Sequence, residues 1–279
     1  LDTYFEALEV CQGVGDRNAE ATTLSLIANE FLAIGERTRA LEALSQTLEV
    51  RRSVADRTGE AAALATLASI YQANGDRQRA LDHYAQALEI RRSLADRTGE
   101  TSILLTMARL QQLMGNKDGA LDTYRQVLEL ARSLNDNVTS ANSLTAVGGI
   151  FLQQGDRERA LEAFNQTLEA RRASSDKAGE AVALYNIANM TQAMGDRQRA
   201  SELYEAALPL AHEVGDATTE ATLLGSLGIL AANQGENRKA LGYFSEALPL
   251  FRDHGDRRGE AMTHNHLALV YRQLGDYRQ

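Results

Sequence analysis

The chain has 279 residues, 44% of them hydrophobic and 24% charged, with 5% aromatics, no Trp and 2 Pro; this favours helix and argues against a linker-rich or disordered chain. A net charge of −9 argues against nucleic acid or an anionic membrane as partner, and no apolar run nears the roughly 18 residues of a membrane span. The single Cys11 leaves no internal disulfide and no signal-peptide pattern opens the chain, so the expected location is the cytoplasm.

Along the chain, residues recur in steps of 40 without insertion or deletion. Gly35 returns as Gly75, Gly115, Gly155, Gly195, Gly235 and Gly275, and Asp16 as Asp56, Asp96, Asp136, Asp176, Asp216 and Asp256. Leu8 and Ala40 found similar columns. Residues 1–16 read as the second helix of a truncated repeat, because Tyr4, Ala7 and Leu8 match Tyr84, Ala87 and Leu88. Full repeats follow at 17–56, 57–96, 97–136, 137–176, 177–216 and 217–256, and 257–279 is the first helix of a further truncated one, making a single array over 1–279. Gly275, Asp276 and Tyr277 begin a turn toward the next helix. Neither end carries a polar cap, so the sequence predicts a fragment of a longer array whose unpaired terminal helices associate end to end between molecules.

Residues 57–96 show why the period exists. From Thr58 to Asn74, Leu64, Leu67, Ile70 and Tyr71 recur at three- and four-residue steps beside small Ala61 and Ala68, a helical stripe. Gly75 suits the left-handed residue that closes a helix, and Asp76 caps the next, which carries Ala80, Leu81, Tyr84, Ala87 and Leu88 on one side. Each unit is thus two antiparallel helices, and a lone pair buries too little surface to stand by itself, so pairs must stack. Ala28, Ala68, Ala108, Gly148, Ala188, Gly228 and Ala268 mark where first helices approach a neighbour closely. Pro209 and Pro249 fall inside the second helices of the last two full repeats, where a local kink is expected.

Leu64-x2-Leu67-Ala68-x2-Tyr71 followed by Ala80-x3-Tyr84-x2-Ala87 resembles the tetratricopeptide repeat (TPR) pattern, with Leu for its Trp, Ala for its Gly and no closing Pro. The 40-residue form resembles the repeats of Pins-like adaptors and, through phrases such as Ala247-Leu248-Pro249-Leu250-Phe251-Arg252, bacterial TPR arrays fused to caspase-like CHAT or other signalling domains. The resemblance spans the chain and implies an all-α fold: a right-handed α-solenoid superhelix of antiparallel helix pairs whose first helices line a concave groove. It also implies a non-enzymatic scaffold binding a peptide or protein segment there, or the regulatory sensor arm of a larger effector such as a CHAT-type protease.

The residues offer little chemistry of their own. His264 and His266 stand about 200° apart on a helix and cannot share a metal, and no phosphate loop or serine-nucleophile motif occurs, so no catalytic residue, metal or cofactor is expected. The aspartate column reads as helix caps, and the pairs Arg51-Arg52, Arg91-Arg92 and Arg171-Arg172 as a solvated charged face. For the groove implied by the resemblance, candidate lining residues are Asn29, Ser69, Arg109 and Asn189 in one column, with Gln72, Gln112, Gln192 and Arg272 toward the helix ends. Tyr185, Asn186, Asn189 and Gln192 make the densest polar group, joined by Asn142, Asn265 and His266. Asn and Gln can bond an extended backbone through donor and acceptor alike. The Lys-rich carboxylate clamp of chaperone-binding TPRs is missing, which disfavours an acidic chain terminus as ligand.

Overall fold

The structure, a computed structural model, describes residues 1–275, which form helices joined by tight corners, with no strand among them. The helices are α1 (Asp2–Val14), α2 (Arg17–Ala33), α3 (Arg37–Ser53), α4 (Arg57–Ala73), α5 (Arg77–Ser93), α6 (Arg97–Leu113), α7 (Lys117–Ser133), α8 (Asn137–Gln154), α9 (Arg157–Ala173), α10 (Lys177–Ala193), α11 (Arg197–Glu213), α12 (Ala217–Asn233), α13 (Asn237–Asp253) and α14 (Arg257–Leu274). The expected turn at Asp276 and Tyr277 lies outside the described residues. Two compact units divide the chain, Leu1–Leu130 and Ala131–Gln279.

In the first unit α2 pairs with α3 and α4 with α5, while α3 packs on α4 and α5 on α6. Its core holds Ile27, Leu64, Leu67, Tyr84 and Leu104. In the second, α8 pairs with α9, α10 with α11 and α12 with α13, and α14 covers α13. Tyr204, Leu223 and Leu227 share one cluster there, and Phe244 and Val270 another. This is the α-solenoid architecture of antiparallel helix pairs, built from helices that are each apolar on the side facing their neighbours.

Both corners of the repeat use the same closing bonds, although only one always has glycine. At the first, Gly75 (φ 83) donates to the Gln72 carbonyl at 3.0 Å and Asp76 to that of Tyr71 at 2.9 Å. At the second, Ala95 (φ 54) donates to Arg92 and Asp96 to Arg91, each at 3.0 Å, so a residue with a Cβ accepts the left-handed conformation. Ala55, Asn135 and Ser175 do likewise. The aspartates then cap: Asp56 Oδ1 accepts from the Gly59 amide at 2.8 Å, and Asp216 from Thr219 at 3.0 Å. Pro209 and Pro249 lie inside α11 and α13, on the exposed side.

The first arginine of each pair does not lie on a solvated face, which corrects the sequence reading there, whereas the second arginines Arg52, Arg92 and Arg172 are exposed as expected. Arg51, Arg91 and Arg171 lie largely buried and donate to Asp56, Asp96 and Asp176 at 2.6–2.7 Å. Arg52, Arg92 and Arg172 reach Glu60, Glu100 and Glu180 at 2.6–2.7 Å. The reason is the corner itself: it brings the C-terminal turn of one helix beside the N-terminal turn of the next. The cap's Oδ1 takes the amide and its Oδ2 is left facing the arginine. A Cβ on Gly59, Gly99 or Gly179 would collide with that arginine stem, so the phrase Arg-Arg-x3-Asp-x2-Gly-Glu is one packed device.

Candidate functional site

The first helices supply the residues beside the packed stripe, and the two units present them separately. In the first unit Asn29, Ser69 and Arg109 are exposed on α2, α4 and α6. The Ser69 hydroxyl turns back to the Thr66 carbonyl at 2.8 Å. Gln72 and Gln112 are half-buried, and their Oε1 atoms accept from the hydroxyls of Tyr84 and Tyr124 at 3.4 and 3.3 Å. Burial pushes the Tyr124 hydroxyl above its ordinary pKa, with the Arg109 guanidinium opposing.

In the second unit the Tyr204 hydroxyl donates toward Asn189 Oδ1 at 2.8 Å and Gln192 Oε1 at 3.0 Å. A phenol has one hydrogen, so one amide receives it and the other presents its NH2 to the phenol oxygen once turned over. Burial, and then the neighbouring Tyr185, raise the Tyr204 pKa. Tyr185 lies against this ring with centroids 5.9 Å apart. Three of the four residues in the densest polar group therefore surround one buried tyrosine, and Asn189 and Gln192 each have a polar atom engaged by it. Asn186 is half-buried and lines a separate cleft with Thr145, Arg171, Asp176, Gly179 and Val182. Asn142 is not beside the tyrosine: its Oδ1 accepts from Arg171 Nη2 at 2.7 Å. Asn265 and Arg272 are exposed on α14.

His266 joins Tyr185 in a pocket of about 290 Å³ between α10, α12, α13 and α14. The His266 ring stacks on Phe244 at 5.5 Å between centroids and 11° between planes. Ile229, Phe251 and Met262 complete the apolar wall. Gly225 lines it where the other repeats carry Ser25, Ala65, Leu105, Thr145, Tyr185 and Asn265. Thr222, Asp256 and Arg258 bring polar atoms to it. Sequence reasoning named Tyr185 and His266 but missed Gly225 and Phe251; both stand out once each column is read for its exception. Among the described residues no group of three His, Cys, Asp or Glu side chains is placed to hold a metal, and no helix is long and apolar enough to cross a membrane.

The family model for the tetratricopeptide repeat matches residues 59–133, 101–173, 139–213, 179–253 and 218–279 in overlapping spans. No curated protein matches the chain. Among solved structures it is similar to the Signal Transduction ATPase with Numerous Domains protein PH0952 from Pyrococcus horikoshii, which has a tetratricopeptide repeat sensor. That likeness has 18% identity and a TM-score of 0.74 over 97% of this chain and 41% of that one. It is also similar to the quorum sensor NprR from B. thuringiensis, at 18% identity and a TM-score of 0.62 over 97% of this chain and 77% of that one. BtubC from P. vanneervenii matches at 21% identity and 0.65, over 78% of this chain and 92% of that one. At such identities the likeness is one of fold.

Proposed function

The chain belongs to the tetratricopeptide repeat family, and from that premise we propose that it is a non-enzymatic scaffold that binds a peptide or protein segment along its first helices. The pocket between α10, α12 and α14 is the observation that carries this reading, because it opens where one side chain of the repeat is reduced to Gly225. Aromatic walls with a few polar atoms at the edge suit a side chain presented by an extended partner. The neighbouring amides of Asn186, Asn189 and Gln192 supply register. The tyrosine hydroxyl fixes the latter two and leaves part of their bonding capacity for a ligand backbone. Partner capture followed by titration tests it. Asn186→Ala and Tyr185→Ala are expected to weaken the captured partner by about 1–3 kcal/mol each with helicity intact. Unchanged affinity in both would remove this face from the binding site.

A second reading is a sensor arm within a larger effector. It draws on the likeness to PH0952, of which this chain spans 41%, and on the quorum sensor NprR. In that case the captured segment would alter the activity of an attached domain. Coding sequence flanking the repeats decides between the two, since an effector of the CHAT type or another kind would be encoded there.

A further inference from the structure

The device Arg-Arg-x3-Asp-x2-Gly-Glu occurs at 51–60, 91–100 and 171–180, and once more at 251–260 with Phe251 in place of the first arginine. At two of its three complete copies the arginine is held by two groups; at the third, Arg91 donates to Asp96 and Ala62 stands at the second place. Arg51 donates to Asp56 Oδ2 at 2.6 Å and to Thr22 Oγ1 at 3.1 Å, and Arg171 to Asp176 Oδ2 and Asn142 Oδ1, both at 2.7 Å. Where the column has Ala211 instead, Thr219 takes over and its hydroxyl donates to Asp216 Oδ2 at 2.6 Å. Position 259 is glycine, so no such hydroxyl exists for Asp256.

Both receiving groups remain at the fourth copy. Asp256 occupies the place of Asp176, and Thr222 that of Thr22 and Asn142. Asp256 Oδ1 accepts from the amides of Arg258 and Gly259, at 3.1 and 2.9 Å, while Oδ2 has no partner among the described residues. The Thr222 hydroxyl donates to the Thr218 carbonyl at 2.8 Å, as Thr22 donates to Asn18, leaving its oxygen able to accept. Asp256 and Thr222 both line the 290 Å³ pocket. The equivalent cleft two repeats earlier, bounded by Gly179, Val182 and Asn186, contains Arg171 itself. Asp16 also lacks an arginine, having Cys11 in that column, but no first helix precedes it among the described residues to supply the second acceptor.

We infer that the pocket is a receptor for an arginine side chain of the bound segment, whose guanidinium takes the two acceptors that Arg51 and Arg171 use in their own repeats. Phe251, Tyr185 and His266 make the wall of the pocket aromatic, a surrounding that favours a planar cation. Arg258 lines the same pocket and pairs with no carboxylate among the described residues, so it is the competing cation. This inference rests on the groove reading above and names the side chain that the groove selects.

The test uses the full chain and a capped pentapeptide, Ala-Ala-Arg-Ala-Ala, with citrulline and norleucine counterparts, titrated while the Gly225 and Gly259 amides are followed by NMR. The arginine peptide is expected to shift both amides saturably. Citrulline, which keeps the shape and loses the charge, should bind at least about tenfold more weakly. Phe251→Arg should abolish binding, because its own guanidinium completes the device, with a Tm no lower than that of the parent. Asp256→Asn should weaken binding about tenfold and still cap, as Asn116 does by accepting from the Gly119 amide at 3.0 Å. Arg258→Ala should tighten it two- to threefold, an order-of-magnitude expectation. Citrulline or norleucine binding as well as arginine, or unaltered binding to Asp256→Asn, overturns the assignment. A captured partner that responds to Asn186→Ala but not to Phe251→Arg overturns the arginine assignment alone, whereas one indifferent to both removes the groove reading as well.

Discussion

Repeats 177–216 and 217–256 have the same backbone period and fill the same space in opposite ways. In the first, Tyr204 is buried beside Ala188 and its hydroxyl is tied to Asn189 and Gln192. In the second, Phe244 has no hydroxyl, the glutamine column holds Ala232, and the ring lies over Gly228, where a Cβ would come within 2.6 Å of it. The three other full repeats with an aromatic ring at this place obey the same rule. Tyr84 and Tyr124 go with Gln72, Gln112, Ala68 and Ala108, and Phe164 with Leu152 and Gly148. A buried phenol needs an acceptor, whereas a ring without one is free to settle deeper if the facing Cβ is removed. Three columns therefore change together, and what differs beside them is whether amides or a hydrophobic opening are presented.

The comparison can be broken from either side. Gly228→Ala should cost about 1–3 kcal/mol, because the Phe244 ring must move. The triple change Gly228→Ala, Ala232→Gln and Phe244→Tyr should recover most of that loss by converting the repeat to the other kind, as read by urea unfolding. Tyr204→Phe strands two half-buried amides without their phenol partner, and about 0.5–1.5 kcal/mol should be lost, with hydrogen exchange rising first in α10 and α11. A smaller gain is expected from Ser175→Gly: the corner before repeat 177–216 has a φ of 55° with a side chain, whereas the corner before 217–256 already has Gly215 at 69°. That change should add about 0.5–1 kcal/mol.

The caps differ in their response to acid. The Thr219 hydroxyl first, and then its amide, hold the Asp216 carboxyl below the ordinary carboxylate range. A pKa lower in the folded than in the unfolded state gives stability that is present above about pH 4 and is lost as the pH falls through the folded value. Asp136 is held low in the same manner by Thr139, and Asp96 by the Gly99 amide ahead of Arg91. The midpoint of thermal unfolding should thus be flat from pH 7 to 5, roughly, and fall below about pH 4, with Asp216→Asn giving a shallower fall. An equal slope in that variant would show that the cap contributes nothing to acid sensitivity.

Helix count, corners and caps were legible because each rests on local rules that repeat: a stripe, a glycine and an aspartate. The candidate groove was legible only as a set of columns. Tyr185 and His266 could be named, but they meet at one pocket beside Gly225, a residue that looks like a turn former and sits in mid-helix. The first arginine of each pair was misread because i to i+5 across a corner is not a helical neighbour relation, and nothing along the chain shows that Arg171 and Asp176 face each other. Asn142, twenty-nine residues before Arg171, was equally out of reach.

By itself the sequence determined that this chain is a stack of helix pairs with a forty-residue period, since periodicity and punctuation are properties of neighbours along the backbone. Only the tertiary structure decided which polar groups are already spent and which are left for a partner. Hydrogen bonds such as that of Tyr204 to Gln192, and ion pairs such as Arg171 with Asp176, form between turns that folding brings together, and a side chain's chemistry is available only when no such neighbour has claimed it.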